Sequence, residues 1–319
     1  MKIAILDDYQ QVALGLADWK SLPSGTEVRS FATPARDEDE LVQRLEPFDI
    51  VVAMRERTAF PASLIRRLPR LKLLASTGLR NAAIDLEASR ERGIVVCGAR
   101  GARNGLAATA ETAWALILAL HKRVVASHTA LCAGRWQPQV AEALDGKILG
   151  LLGLGNIGQR MARLGQAFGM EVVAWSPNLT AERAASTGAR RVDKAELFAV
   201  ADTVSLHLVL SASTASVVAG AELGTMKPAA FLVNTARAGL VDEGALIDAL
   251  RERRIGGAGL DVYWQEPLPP DHALCGLDNV VLSPHLGYVT PENLAAFYAG
   301  VIDNIVAWHA GRAPLLLTQ

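Results

Sequence analysis

Short apolar runs alternate along the whole chain with stretches whose apolar residues fall three or four apart. The first series of runs is KIAIL, EVRSFA, DIVVAM, LKLLAS and GIVVCG; the second is ILGLLG, EVVAWS, TVSLHLV, AFLVNTA, GAGLDVY and VVLSPH. Their nearly unbroken apolar character predicts strands covered on both faces, which is the situation of a parallel sheet. Between them, DEDELVQRLEPF and PASLIRRLPRL carry the spacing of helices packed along one face. Two such series predict an α/β chain of two doubly wound parallel-sheet (Rossmann-like) domains with a cleft between them.

The join falls near CGARGARNG, where Gly98, Gly101 and Gly105 loosen the backbone. A long Ala-rich helical pattern, LAATAETAWALILALHKRVVASHTALCAG, follows it and suits a helix packed on several sides. After His285 the chain has only about one more helix, PENLAAFYAGVIDNIVAWHAG, too little for a third domain. This tail is expected to cross back and complete the first domain. The expected domains are therefore 1–100 plus 287–319, discontinuous, and 101–286.

Composition narrows the field. A chain of 319 residues is long for one core, and half apolar with 5% aromatic residues suits a Leu/Val/Ala-rich α/β protein. The formal charge of -1, with basic residues spread throughout, offers no field for nucleic acid or an anionic membrane. Cys97, Cys132 and Cys275 lie far apart with no C-x-x-C pair, so neither a metal site nor a disulfide framework is expected. The longest apolar stretch, Ala113 to Leu120, is far short of the roughly 20 residues a bilayer needs. MKIAILDDYQ runs straight into a strand pattern without an export signal, so a cytoplasmic location is expected.

The chemistry starts at GKILGLLGLGNIGQRMARLGQAFGMEVVAWSPN. Gly153, Gly155 and Gly158 are spaced G-x-G-x-x-G, after an apolar run and before a helix with Ile157, Met161 and Leu164 on one face. That setting makes the loop a dinucleotide candidate. Gly153 permits the tight turn, Gly155 the approach of a pyrophosphate, and Gly158 close packing of helix on strand, while Asn156 and Ile157 begin the helix. The second domain is thus the expected nucleotide-binding domain and the first the substrate-binding one. Glu171 begins the next run instead of ending it, about 16 Å from where a ribose acid is needed. Ser176 occupies that position.

Three further segments present polar residues just after strands: Arg237 in FLVNTARAGLVDE, Glu266 in GLDVYWQEPLP and His285 in VVLSPHLGYVTPE. Ligands of open parallel sheets bind at the carboxyl ends of strands, so all three converge on the edge where a nicotinamide would lie. A histidine beside a carboxylate can give and take a proton, and an arginine can grip a carboxylate with paired donors. His207, in SLHLVL, is read as lining the cofactor pocket with Leu208, with a core histidine as the alternative.

GLGNIG, MKPAAFLVNTARAGLVDE, DVYWQEPLP and LSPHLGYVT together make the sequence resemble, over nearly its whole length, the D-isomer-specific 2-hydroxyacid dehydrogenase family. The resemblance implies NAD(P)-dependent interconversion of a 2-oxo acid and its D-2-hydroxy acid, with Arg237 on the substrate and Glu266 paired with His285 as proton relay. It also implies that Thr235, Ala236, Asp261 and the Leu286–Gly287 backbone line the nicotinamide ribose and amide, although Asp261 reads equally as a structural strand-end acid. In the first domain, Thr77, Gly78 and Leu79 of ASTGLRN match a loop that grips the substrate carboxylate, and Arg55 of VAMRERT a substrate-side position. Homodimerisation through the long helical segment after Asn104 is implied as well. Two departures stand out: Leu79–Arg80 where smaller residues are common, and Ser176 in place of an acid. The first bears on substrate size. The second permits either NAD or NADP, with NAD favoured because no arginine follows at once and the nearest later one is Arg183. The alternative is a dinucleotide-sensing corepressor-like binding protein on the same fold, which would bind cofactor with negligible turnover.

Overall fold

The computed structural model describes residues 1–317. By contact the chain forms two compact units, Met1–Gly105 together with the residues from Thr290 onward, and Leu106–Val289. The changeovers therefore fall at the start of one helix and at the cap of another, against 100/101 and 286/287 read from the sequence.

In the first unit β1 (Lys2–Ile5), β2 (Glu27–Ser30), β3 (Ile50–Met54), β4 (Leu73–Thr77) and β5 (Val95–Ala99) form a parallel sheet of order β2-β1-β3-β4-β5. Its central strands β3 and β4 are buried at every position, whereas β2, at the edge, is not. That follows from helices lying over both faces: α1 (Glu38–Leu45), α2 (Ala62–Arg66) and α3 (Leu86–Glu91) connect the strands. Asp37 and Asp85 cap α1 and α3 by accepting from Glu40 N–H and Ala88 N–H.

The second unit begins with α4 (Gly105–His121) and α5 (Val124–Cys132). The long helical pattern is broken here, because Arg123 takes a left-handed φ of 52° and no helix continues through that conformation. Packing on several sides holds for α4, which buries Ala108, Ala110, Ala113, Trp114, Leu116, Ile117, Leu120 and His121. It does not hold for α5, which buries only Ala130.

The sheet that follows contains β6 (Ile148–Leu152), β7 (Glu171–Trp175), β8 (Arg190–Arg191), β9 (Thr203–Leu206), β10 (Phe231–Asn234), β11 (Gly257–Leu260) and β12 (Val280–Leu282). All strands run parallel in the order β12-β11-β10-β9-β6-β7-β8. Its connecting helices are α6 (Asn156–Ala167), α7 (Ala181–Ala185), α8 (Lys194–Val200), α9 (Gly220–Thr225) and α10 (Glu243–Arg251). β8 is absent from the apolar runs of the sequence for a physical reason: it is an exposed two-residue edge strand made of arginines.

The last helix, α11 (Pro291–His309), belongs to the first unit and packs on β4 and β5. Thr290 caps it, Asn293 accepts from Ala102 N–H at 2.9 Å, and Asn304 donates to Gly98 O at 3.0 Å. Beyond it the chain pairs antiparallel with Cys97 through Leu316. Among the described residues no helix is long and apolar enough to cross a membrane, and no group of His, Cys, Asp and Glu side chains could hold a metal ion.

Candidate functional site

Gly153 follows β6 directly with φ +101°, and a Cβ there would stand 2.6 Å from His207 O. At Gly158 a Cβ would land on the carbonyl oxygen of Gly153. Both glycines are thus required by close backbone approach. Gly155 differs: it is the N-cap of α6, no side chain caps that helix, and a Cβ would project into open space. Uncapped N–H groups at the start of a 12-residue helix, with room before them, form a cradle suited to a phosphate. Asn156 is exposed there and Ile157 half-buried. The buried face of α6 is Gly158, Met161, Ala162 and Gly165, so Leu164, expected on it, lies at the surface instead, one position off the stripe.

The N–H of Gly153 donates to Trp175 O at 2.8 Å, which holds the glycine loop beside the end of β7. Ser176, half-buried, and exposed Asn178 follow at once. Arg183 Nη1 reaches back to Asn178 O at 3.4 Å, and Arg191 Nε donates to Leu179 O at 2.9 Å. Sequence reading missed Arg191, whose strand carries no apolar signal.

Along the same edge of the sheet, β10 ends in buried Asn234. Its amide accepts from Ala236 N–H at 3.0 Å and donates to Arg237 O at 2.9 Å, fixing the turn that presents Arg237. The guanidinium of Arg237 donates to Ala236 O at 2.7 Å. Thr235, buried in this turn, has a hydroxyl oxygen with no hydrogen-bond partner among the described residues. A buried polar atom left unpaired costs stability unless a ligand completes it. The Asn234 clamp was not singled out from sequence; a polar residue ending an apolar run was its only signal.

Asp261, fully buried at the end of β11, is the hub of the next feature. Its Oδ1 accepts from Ser283 Oγ at 2.6 Å and Leu286 N–H at 2.7 Å, and its Oδ2 from Gly287 N–H at 2.9 Å. Burial pushes its carboxyl up; those three donors and the charge of His285 pull the other way. From α4, Thr109 Oγ1 donates to Gly287 O at 2.8 Å. The loop so held sets His285 at φ +56°, with Nδ1 2.9 Å from Glu266 Oε1 and 2.8 Å from Oε2. Glu266 Oε1 also accepts from Tyr263 N–H at 3.0 Å, and the Tyr263 hydroxyl lies 3.0 Å from Leu260 O and 2.9 Å from Ser283 O. Facing a carboxylate, Nδ1 is the nitrogen that donates, which leaves Nε2 pointing away from the pair. Tyr263, absent from the sequence reading, holds Glu266 through its N–H and the carbonyl of Ser283 through its hydroxyl.

His207 stands half-buried after β9, its Nε2 2.9 Å from Ser205 Oγ, with Leu208 beside it. Burial pushes its pKa down to about 4. It is therefore neutral near pH 7. Between pH 6.5 and 4 the unfolded chain binds the proton that the folded imidazole refuses, so stability falls on acidification in that window. Allowing for the ring's partial exposure, wild-type protein should lose about 1–2 kcal/mol more than His207→Asn between pH 7 and 4.5. Urea titrations across that range measure the difference, and parallel curves would refute it.

In the first unit, Arg55 N–H donates to Thr77 Oγ1 at 3.0 Å, joining the ends of β3 and β4. Gly78, at φ +127°, bonds Ala99 O, and a Cβ on it would stand 2.8 Å from Arg55 Cδ, so the arginine stem crosses the turn that leads to half-buried Leu79. Buried Asn81 accepts from Glu56 N–H at 3.3 Å and Ala83 N–H at 3.1 Å, and donates to Ser76 Oγ at 3.1 Å, tying the two loops together.

The sequence pattern of the family described as D-isomer specific 2-hydroxyacid dehydrogenase, NAD binding domain, matches residues 114–287. The glyoxylate reductase of Aeropyrum pernix is 38% identical over 79% of this chain and 77% of its own length. The chain belongs to the D-isomer-specific 2-hydroxyacid dehydrogenases. The (S)-sulfolactate dehydrogenase of Chromohalobacter salexigens is 37% identical, over 79% of this dehydrogenase and 82% of its own chain. The crystal structure of phosphoglycerate oxidoreductase from Vibrio cholerae o395 superposes with a TM-score of 0.91 at 38% identity, covering 98% of this chain and 99% of that one. A nicotinamide dinucleotide is the family's cofactor, and the uncapped α6 cradle and the orphaned Thr235 hydroxyl of this dehydrogenase fit one.

Proposed function

We propose that this dehydrogenase reduces a 2-oxo acid to its D-2-hydroxy acid, and catalyses the reverse oxidation, with His285 as acid–base group, Glu266 as its partner and Arg237 as the substrate clamp. The observation that carries the reading is the His285–Glu266 pair: one imidazole nitrogen bonded by both oxygens of a carboxylate, on a loop pinned from below by Asp261.

The dinucleotide, when bound, supplies or accepts the hydride. Gly153, Gly155, Asn156, Ile157 and Gly158 would hold its pyrophosphate, Ser176 its adenosine ribose, and His207, Leu208, Thr235, Ala236 and Gly287 its nicotinamide end, with Asp261 supporting Gly287 from behind. Protonated His285 gives the Nε2 proton to the carbonyl oxygen as the hydroxy acid forms, and takes it back in oxidation. The Glu266 carboxylate stabilises the imidazolium and holds the ring, so no reorientation is needed during transfer. Arg237 offers planar paired donors to the substrate carboxylate and the carbonyl oxygen. In the first unit, Arg55, Thr77, Gly78 and Leu79 are the residues that the family resemblance assigns to the substrate. A glyoxylate- or hydroxypyruvate-type acid, or a larger aliphatic 2-oxo acid, is the substrate class.

Oxidation of reduced nicotinamide dinucleotide on a panel of 2-oxo acids, with chiral analysis of the product, tests this. Turnover to a D-product supports it. Cofactor binding without turnover on any acid would point instead to a dinucleotide-sensing corepressor-like protein.

The assembly we propose is a homodimer. α5 and the segment after it expose Val124, Val125, Leu131, Trp136 and Val140, the last two at 76% and 90%. An apolar surface of this kind is the usual mark of an interface. Light scattering at micromolar protein should give twice the monomer mass, and Trp136→Glu with Val140→Glu should return it to one.

A further inference from the structure

The end of β7 is where a dinucleotide fold contacts the adenosine ribose, and a carboxylate there accepts from the 2′-hydroxyl and repels a 2′-phosphate. Here no carboxylate stands at that position; Ser176 does. The chain then turns, with Leu179 N–H on Ser176 O at 3.1 Å, and Thr180 receives Arg183 N–H at 3.3 Å. This turn brings Arg183 back over Asn178 O. From the neighbouring strand, β8 pairs Arg191 with Ala174 of β7, and its guanidinium comes to Leu179 O. Two arginines from different elements thus bracket the residues next to Ser176.

Their electrostatic state separates them from Arg190, which lies in the same stretch of chain. Arg190, one residue from Arg191, is neutralised by Glu196 at 2.8 Å and Glu171 at 3.5 Å. Arg183 and Arg191 have no carboxylate partner among the described residues, and each spends one N–H on a backbone carbonyl while a guanidinium offers five. Glu182, the acid next to Arg183 in the chain, is engaged with the Thr180 hydroxyl and its own N–H. The turn therefore concentrates positive charge and hydrogen-bond donors at the one place on the edge where NAD and NADP differ.

We infer that Arg183 and Arg191, with Ser176 and Asn178, form a site for the 2′-phosphate of NADP(H), so that the dehydrogenase binds the phosphorylated cofactor at least as tightly as NAD(H). This rests on the dinucleotide reading above. It reverses the expectation drawn from sequence spacing, because Arg191 reaches the turn from the adjacent strand and Arg183 by folding back.

Fluorescence titrations of the full chain with NADH and NADPH, and calorimetric titrations with 5′-AMP and 2′,5′-ADP, test it without turnover. The expected result is a Kd for NADPH no larger than for NADH, and tighter binding of 2′,5′-ADP than of 5′-AMP. Arg183→Ala and Arg191→Ala should each weaken NADPH and 2′,5′-ADP about tenfold while NADH and 5′-AMP move less than about twofold. Ser176→Asp should reverse the preference in favour of NADH. A larger Kd for NADPH than for NADH in the wild type, or equal losses for both cofactors in the arginine variants, overturns the inference and leaves the dinucleotide reading standing. Binding of neither cofactor overturns both. The wild-type comparison of the two adenine nucleotides needs no variant, so a variant that fails to fold does not spare the proposal.

Discussion

Replacing His285 with Gln should lower kcat on 2-oxo acids by about 10²–10⁴-fold and leave the Kd for reduced cofactor within about threefold. The expectation is specific because the variant disturbs little else. Asp261 holds the loop through Ser283 Oγ and the N–H groups of Leu286 and Gly287, none of which belongs to residue 285. The left-handed backbone at 285 suits His better than Gln, but the difference is small beside the loop's own anchors, since neither side chain is β-branched. Glu266 keeps the Tyr263 N–H as a donor. What is lost is an imidazole, the group proposed to pass the proton. Single-turnover kinetics with saturating cofactor measure the loss, and a kcat within tenfold of wild type would remove His285 from the acid–base role.

Arg237→Ala should cost about 10²-fold or more in kcat/KM for a 2-oxo acid, because a charged, paired donor set is worth several kcal/mol against a carboxylate. Cofactor affinity should move less than about threefold. The turn survives the change, since Asn234 donates to the carbonyl of residue 237 and accepts from Ala236 N–H, both backbone groups. Arg237→Lys should recover only part of the loss, because a point charge does not reproduce a planar fork. Equal damage to substrate use and to cofactor binding would show that Arg237 maintains the site instead of clamping the acid.

The central strands were legible in the sequence because burial on both faces leaves no polar position, as in IVVAM and ILGLL. The edge strand Arg190–Arg191 was not, since pairing through backbone alone imposes no pattern on side chains. The long helix was legible as helical but not as two, because Lys122 and Arg123 are good helix formers and only tertiary context puts Arg123 in the left-handed region. Arg237, Glu266 and His285 stand in extended motifs, and of these the structure brings Glu266 and His285 into contact. Asn234, Tyr263 and Asn81 act largely by bonding backbone groups, and a residue whose partners are mostly main-chain atoms leaves no trace in the spacing of side chains. For Asp261 the sequence allowed two roles, and the structure shows both carboxylate oxygens turned to the 283–287 loop.

That arrangement decides where the loop tolerates diversity. Asp261 reads the amide of residue 286, never its side chain, and Leu286 projects 41% exposed. Position 287 has no such licence, for a Cβ there would meet Asp261 Oδ2 at 3.0 Å and Thr109 Cγ2 at 3.4 Å. A saturation library at 286 should therefore yield mostly folded proteins with His285 undisturbed, while one at 287 should yield few besides the parent. Next to His285 the fold keeps one adjustable position and one fixed one, a division useful for retuning the protein by selection.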